Sequence, residues 1–224
     1  QANVKVTRQE QNQWCWAANS KCILEHYGKV VSQCTIVEHA RTITPSTFGT
    51  ANCCTNPSGK CNNPNYIEGN GGIQGMLKNF GNLSSTPSTQ PLSVTKIQSE
   101  LAGRRPFVIG VYWSGGGGHV VVGCNYSSGT LTFMDPWQNN GMTTYKYSGG
   151  TAFKTASGSG TWGGTLVINT PHVTTGITDQ TDLNEGIRVY PNPSEGLLNI
   201  TTDHTIKAIN VYNVTGQLID AYSN

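Results

Sequence analysis

The chain has 224 residues, of which 12% are charged and 36% are hydrophobic, and its formal net charge is +2 at pH 7. This length is enough for one domain with a buried core and a second small one. No apolar run approaches the ~20 residues needed to span a bilayer, and no Lys/Arg run with interleaved aromatics favours nucleic acid as a partner. We therefore expect neither a membrane span nor a nucleic-acid partner.

Charge is distributed unevenly along the chain. Residues 1–170 contain 12 Lys and Arg against 6 Asp and Glu, whereas residues 171–224 contain 2 against 6. Residues 171–186 have no hydrophobic periodicity and are typical of a linker. The sequence thus predicts a first domain over residues 1–170, a linker over residues 171–186 and a second module over residues 187–224.

The first domain opens with patterns typical of helices. Asn12 is placed to cap one helix and Ser32 to cap the next. A capping box at Thr95 and Gln98 starts a later helix, which stops at Gly103. The helix that Asn12 caps is predicted over residues 13–27 and the one that Ser32 caps over residues 33–41. A further short helix is predicted over residues 72–80.

Strands follow the helices. A β-branched and aromatic run at Phe107–Trp113 marks the change, and a Ser-Ser-Gly turn joins the next two strands. The later predicted strands cover residues 119–125, 130–134, 143–147 and 164–169. Helices first and antiparallel strands second indicate an α+β domain. In the second module, short alternating strands at 197–201, 206–212 and 217–221 predict a small all-β unit, similar to a partial β-sandwich.

The chain has seven cysteines, at positions 15, 22, 34, 53, 54, 61 and 124. Their odd number and the lack of a CxxC pair favour three disulfides and one free thiol, and with them an oxidising location. A metal site is the alternative, but neighbouring cysteines rarely both bind one tetrahedral ion; its ligands would be His39, Cys53, Cys54 and Cys61. We expect no metal and no cofactor. The expected pairing is among Cys34, Cys53, Cys54 and Cys61, with Cys22 and Cys124 either joined or both free, and Cys15 left over.

Cys15 is a candidate nucleophile. A thiol attacks as the thiolate, which is favoured at a helix N-terminus and beside an imidazole. Of the five histidines, only His119 opens an apolar strand (HVVVG) after a flexible turn (SGGGG), where a side chain is presented to a cleft. Asp135 is the only aspartate in the first 178 residues and ends the next strand. We therefore expect Asp135 beside His119 as the acceptor that orients the imidazole.

An oxyanion donor is also needed. Gln9, Gln11 and Gln13 all lie shortly before Cys15, and each is a candidate to act together with the Cys15 backbone N–H. Taken singly, Cys15 is better explained as a half-buried structural residue, and His119 and Asp135 as surface and turn residues. Their coincidence in one pattern favours catalysis.

The pattern QxxxxxCW, then GH before an apolar strand, then DPW, resembles the papain-like (clan CA) cysteine peptidases over roughly residues 5–170. WCWAA and GHVVVG are most similar to the bacterial C39-like and AvrRpt2-like branch. The resemblance implies a papain-like fold, with an N-terminal helical half packed on an antiparallel β-sheet half. It also implies Cys15 as nucleophile, His119 as base and acid, Asp135 as orienting residue and Gln9, six residues before the cysteine, as oxyanion donor. Asp135 departs from the Asn of papain's NSWG motif.

Tryptophans flank these motifs. We expect Trp14 and Trp16 to pack, one inward and one at the rim of the cleft. The family resemblance further implies that Trp137 shields the contact between His119 and Asp135 from water.

The segments IRVYPNPSEGLLNI and IKAINVYNVTGQLID resemble the type A C-terminal sorting domain of type IX secretion. This resemblance implies a secreted or cell-surface protein whose second module contacts the type IX secretion machinery and serves export rather than catalysis.

Together these patterns predict a secreted, monomeric cysteine endopeptidase that hydrolyses protein or peptide substrates through an acyl-enzyme. A protein deamidase or transglutaminase-like acyltransferase with the same triad is the enzymatic alternative. A surface adhesin or inactive homologue is the non-enzymatic one.

Overall fold

The computed structural model describes residues 1–172, 188–190, 199–202, 205–213 and 215–223. The chain divides into two compact units, Gln1–Val173 and Thr174–Asn224. The predicted linker, residues 171–186, lies outside the described residues except for its first two, so its bounds stay a prediction.

The first unit contains five α-helices and seven strands among its described residues. The helices are α1 Cys15–His26, α2 Gln33–Ile43, α3 Pro45–Phe48, α4 Ile73–Gly81 and α5 Val94–Ala102, with a 3₁₀ turn at Gly59–Cys61. The strands are β1 Ser85–Ser88, β2 Phe107–Trp113, β3 Gly118–Ser127, β4 Thr130–Asp135, β5 Gly141–Lys146, β6 Ala152–Thr155 and β7 Gly158–Ile168. This order confirms the predicted α+β class, with a helical half before an antiparallel sheet.

All seven strands form one antiparallel sheet in the order β1-β7-β2-β3-β4-β5, with β6 paired to β7. The pairing of β3 with β4 follows the predicted hairpin. Strands β1 and β6 were not predicted from the sequence. Both are four residues long, and β1 contains Pro87, which is tolerated because β1 is an edge strand.

Helix α1 is the centre of the helical half. It packs against α2, α4 and strand β3, and its buried positions include the polar residues Asn19 and Ser20 as well as Trp16 and Leu24. A helix that is buried on most sides needs partners on most sides. Contact with β3 therefore holds the start of α1 beside the sheet.

The helix caps agree only in part with the predictions. Ser32 caps α2 as expected, since its hydroxyl accepts a bond from the backbone N–H of Thr35. Asn12 does not cap α1, which begins at Cys15 with no side-chain cap, because the Asn12 side-chain oxygen accepts a bond of 2.6 Å from Asn62. Ser93, rather than Thr95, caps α5.

The disulfides are Cys34–Cys54 and Cys53–Cys61, which confirms the expected pairing within this set of four. Cys15, Cys22 and Cys124 are free, so there are two disulfides rather than three. Cys15 is unpaired as expected, and of the two alternatives for Cys22 and Cys124 the structure shows both free. The last two are buried and bond elsewhere, Cys22 Sγ to the carbonyl of Lys5 and Cys124 Sγ to that of Thr132. The two disulfides also use the sulfur atoms that the alternative metal site required.

Two indoles tie the disulfide-bonded loop to the start of α1. Trp14 and Trp16 are both fully buried, so the expectation that one lies at the cleft rim is wrong. Their Nε1–H groups donate to the carbonyls of Cys61 and Asn63, at 2.8 and 3.1 Å. A buried indole requires such an acceptor, and here the acceptors are supplied by the loop.

The second unit contains strands among its described residues, as predicted. Strand β8 Arg188–Tyr190 pairs with β9 Asn199–Thr201, and β10 Ala208–Tyr212 pairs with β11 Leu218–Ser223, both antiparallel. Among the helices of the described residues, none combines the length and apolar character needed to cross a membrane.

Replacing Cys34 and Cys54 together by Ala is expected to lower the free energy of unfolding by roughly 2–4 kcal/mol, because the cross-link restricts the unfolded chain. Urea denaturation measures the change. Reductant should lower the midpoint of the wild-type protein but not that of a variant lacking Cys34, Cys53, Cys54 and Cys61. Equal wild-type midpoints with and without reductant would contradict the stabilising role of the disulfides.

Candidate active site

Three predicted site residues meet at the junction of α1 and the sheet. Cys15 is the first residue of α1 and is a partly exposed free thiol. His119 is the second residue of β3, and Asp135 is the last residue of the neighbouring strand β4. Antiparallel pairing of β3 with β4 brings the histidine and the aspartate together although they are 16 residues apart.

The imidazole of His119 is held between a carboxylate and a thiol. Its Nε2 lies 2.7 Å from Asp135 Oδ1, and because an ionised carboxylate only accepts hydrogen bonds, Nε2 is the donor. The Cys15 thiol lies close enough to raise the pKa of the imidazole, and both residues line one cleft. Nδ1 is the ring nitrogen left for that thiol. Solvent is largely excluded from the contact between His119 and Asp135, since the two residues are 7% and 0% exposed.

Burial lowers the pKa of His119, but the hydrogen bonds and charges of Asp135 and Cys15 outweigh it and raise the pKa to about 9. The imidazole is therefore protonated at neutral pH. Burial also acts on the carboxylate, in the direction of a higher pKa, yet the bond to His119 and that residue's charge hold the pKa of Asp135 below its ordinary value. The arrangement favours a buried imidazolium–carboxylate pair.

Asp135 has two further partners, and the sequence analysis missed one of them. The backbone N–H of Trp137 donates to Oδ1 at 3.0 Å, and Asn140 Nδ2 donates to Oδ2 at 2.9 Å. A turn at residues 137–140, closed by a bond from Asn140 N to the Trp137 carbonyl, carries the amide back to the carboxylate. The turn-forming residues after DPW were the available signal for Asn140.

Aromatic rings surround His119. Trp137 lies edge-on to the imidazole, with ring centroids 6.3 Å apart and an interplanar angle of 88°. Trp137 is thus beside the imidazole and is itself 41% exposed, and its shielding of the pair stays a prediction. Trp113, which the sequence analysis did not link to the site, lies nearly parallel to the imidazole at 6.5 Å.

A cleft of about 420 Å³ opens beside the thiol and the imidazole, and both Cys15 and His119 line it. Its other lining residues include Ile67, Tyr112 and the glycines Gly110, Gly163 and Gly164. A Cβ atom added at Gly110 would lie 2.6 Å from Ile67 Cδ1, and one added at Gly163 would lie 2.9 Å from Tyr112 Cδ2. The glycines therefore let these two side chains lie against the sheet.

Gln9 is the buried member of the three candidate glutamines, whereas Gln11 is half-buried and Gln13 exposed. Its backbone N–H donates to the carbonyl of Pro136 at 2.9 Å, which places it next to Asp135 in the structure. Its Nε2 donates to the carbonyl of Gln11 at 2.9 Å, which uses one of the two amide N–H groups.

The side chain of Gln33, another contact missed from sequence, clamps the segment that carries Gln9. Gln33 Nε2 donates to the carbonyl of Arg8 at 2.6 Å, and its Oε1 accepts from the backbone N–H of Glu10 at 3.1 Å. These bonds fix the backbone on both sides of Gln9. A long-range amide clamp of this kind has no signature in the local sequence.

The other described histidines lie in contacts away from these residues. His26 stacks on His172 with centroids 4.0 Å apart, and His39 contacts Phe80 edge-on. His204 lies outside the described residues. Within the part of the chain that the structure describes, no cluster of three or more His, Cys, Asp or Glu could hold a metal ion.

Comparison with known proteins gives two family matches. The Peptidase C39 like family matches residues 1–163, and a secretion system C-terminal sorting domain matches residues 188–224. The sorting domain indicates a secreted or cell-surface protein, as predicted. Among curated proteins, none matches the chain.

Solved structures similar to this chain include the following three. The peptidase domain of Streptococcus ComA, a bi-functional ABC transporter involved in a quorum sensing pathway, is 15% identical, covers 74% of this chain and 98% of its own, and has a TM-score of 0.49. A double glycine motif protease from an AMS/PCAT transporter, in complex with the leader peptide, is 17% identical, with coverage of 75% and 91% and a TM-score of 0.40. A C39-like peptidase from Bacillus anthracis is 12% identical, with coverage of 76% and 100% and a TM-score of 0.47.

The family match extends over most of the chain and includes the cysteine, histidine and aspartate described above. The resemblance read from the sequence motifs is confirmed: the chain belongs to the Peptidase C39 like family and is a papain-like cysteine peptidase.

Proposed function

We propose that this cysteine peptidase is a secreted endopeptidase that hydrolyses peptide bonds through an acyl-enzyme formed on Cys15. His119 acts as general acid and then general base, Asp135 orients the imidazole, and Gln9 donates to the oxyanion. The observation that carries the proposal is the buried 2.7 Å bond between His119 and Asp135, on an imidazole that lines the same cleft as the free Cys15 thiol.

The first half of the reaction uses the ion pair. An imidazolium beside a thiol favours the thiolate, which is the attacking form. The Cys15 thiolate attacks the scissile carbonyl carbon, the carbonyl electrons move to oxygen, and the tetrahedral intermediate collapses when His119 gives its proton to the departing amine. A thioester on Cys15 and a new amino terminus result.

The second half uses the same groups in reverse. Neutral His119 takes a proton from water, the hydroxide attacks the thioester, and collapse releases the carboxylic acid product and the Cys15 thiolate. Asp135 accepts a hydrogen bond from the imidazole throughout and does not itself take up the proton.

The oxyanion of each intermediate needs donors that are already in place. The backbone N–H of Cys15 lies in the first turn of α1, where it has no partner within the helix. Gln9 retains one amide N–H after its bond to Gln11, and its backbone is fixed by Pro136 and by the Gln33 clamp. These features support the assignment of Gln9 over Gln13, which is exposed.

We also propose that the second unit directs export through the type IX secretion machinery and takes no part in catalysis. The match of residues 188–224 to a secretion sorting domain supports this. All four proposed site residues, and the residues that line the cleft, belong to the first unit.

Cys15→Ala is expected to abolish peptide-bond hydrolysis while circular dichroism stays unchanged, because the attacking sulfur is removed. Iodoacetamide at neutral pH should label Cys15 but not Cys22 or Cys124, which are free but buried. New termini in a digested protein substrate, read by mass spectrometry, measure turnover. Undiminished cleavage by the Ala variant would refute the assignment, and ammonia release without new termini would identify a deamidase instead.

Asp135→Asn is expected to reduce kcat less than His119→Ala does. The first change keeps an oriented imidazole and costs roughly 10²-fold, whereas the second removes the proton-transfer group and costs about 10⁴-fold or more. Steady-state kinetics on one peptide substrate measure both. A reversed ranking would mean that the third member of the triad is misassigned.

The alkaline limb of the kcat/KM profile is expected near pH 9, because the pKa of His119 is raised from 6.5 to about 9 and the imidazolium is lost as pH rises through that value. Asp135→Asn removes the negative charge that helps to raise this pKa. The limb should therefore move to lower pH in that variant. An alkaline limb that stays in place would show that Asp135 does not act on the imidazole.

A further inference from the structure

We propose that Asn19 is a positioning residue that holds the nucleophile and the general base in register; the inference rests on the proposed function. Asn19 is one helical turn after Cys15 in α1. Its Nδ2 donates to the carbonyl of Cys15 at 2.7 Å and to the carbonyl of Val120 at 2.7 Å. Val120 directly follows His119 in β3.

The two acceptors belong to opposite halves of the site. Cys15 starts the helix, and Val120 lies in the strand that presents the imidazole. One amide group thus joins the backbone of the nucleophile to the backbone beside the base. This bond runs directly from a side chain of α1 to the backbone of β3.

The orientation of this amide is determined by its partners. Both neighbours are carbonyl oxygens, which only accept, so the NH₂ group must face them, and both of its N–H groups are used. Asp at this position would place a carboxylate against two carbonyls. Leu would fill a similar volume without donating.

The burial of Asn19 argues for a purpose beyond packing. The residue is 0% exposed, and its Oδ1 has no hydrogen-bond partner among the described residues. A buried polar atom without a partner costs free energy that an apolar side chain would avoid. Polar groups that break the packing rules in this way concentrate at functional sites.

The geometric consequence falls on the Cys15–His119 pair. The bond of His119 to Asp135 fixes the imidazole within the sheet, but it does not fix the sheet against the helix. Asn19 restrains α1 against β3 beside Cys15 and His119, through its bonds to the Cys15 and Val120 carbonyls. Displacement of about 1 Å between reacting groups costs on the order of 10²-fold in rate.

The experiment compares Asn19→Leu and Asn19→Ser with Ser20→Ala as matched control. Ser20 is the next residue of α1, is equally buried, and its Oγ bonds only within the helix, to the carbonyl of Trp16 at 2.9 Å. The serine at position 19 would still reach back to the Cys15 carbonyl, but its side chain is too short for Val120. Asn19→Ser therefore removes only the hydrogen bond to Val120, which joins α1 to β3.

The readouts are kcat and KM on a peptide substrate, the rate of Cys15 alkylation by iodoacetamide at pH 7, and the thermal midpoint. Both Asn19 variants should lose about 10²-fold in kcat, with KM unchanged and alkylation slowed, while Ser20→Ala stays close to wild type in all three. A residue that merely stabilises the fold would change the thermal midpoint without this split between kcat and KM.

Folded Asn19 variants with wild-type kcat and alkylation rate would overturn the inference, as would failure of both variants to fold, since Asn19 would then act on the fold as a whole. Failure of the proposed function is distinguishable. It would appear as activity in Cys15→Ala, whereas failure of the Asn19 inference leaves Cys15→Ala inactive.

Discussion

The buried hydrogen bond between His119 and Asp135 is the interaction on which the proposed chemistry depends. It pairs a carboxylate that is fully removed from water with an imidazole that is 7% exposed. An isolated charge would be costly there, but the pair keeps both groups ionised at neutral pH. The imidazolium then faces Cys15 with its second ring nitrogen. The buried pair thus keeps the positive charge of the His119 imidazolium beside the Cys15 thiol.

The fold serves this arrangement by joining two halves with different properties. The antiparallel sheet supplies the register that sets His119 beside Asp135, and α1 supplies a helix N-terminus for Cys15. Disulfides and indole hydrogen bonds hold the loop that approaches the start of α1. Two oxidised pairs therefore support a site whose own cysteine must stay reduced.

Patterns that are local in sequence predicted much of this structure. The β-branched runs gave the strands around His119, and the single aspartate of the first domain identified Asp135. Long-range hydrogen bonds were not predictable: Asn12 bonds Asn62 rather than capping α1, and Trp14 and Trp16 are both buried because a distant loop supplies their acceptors. Gln33 and Asn19 were missed for the same reason. Each contacts the site through the tertiary fold, and an asparagine or glutamine in a polar sequence carries no local signal of this.

The most direct test of the central claim is the titration of the His119 imidazole by NMR, in the protein with a free Cys15 thiol and after that thiol is alkylated. We expect a pKa of about 9 with the thiol free and a lower one once the sulfur is blocked, since Cys15 helps to hold the proton on the ring. A pKa near the ordinary value of about 6.5, unchanged by alkylation, would contradict it.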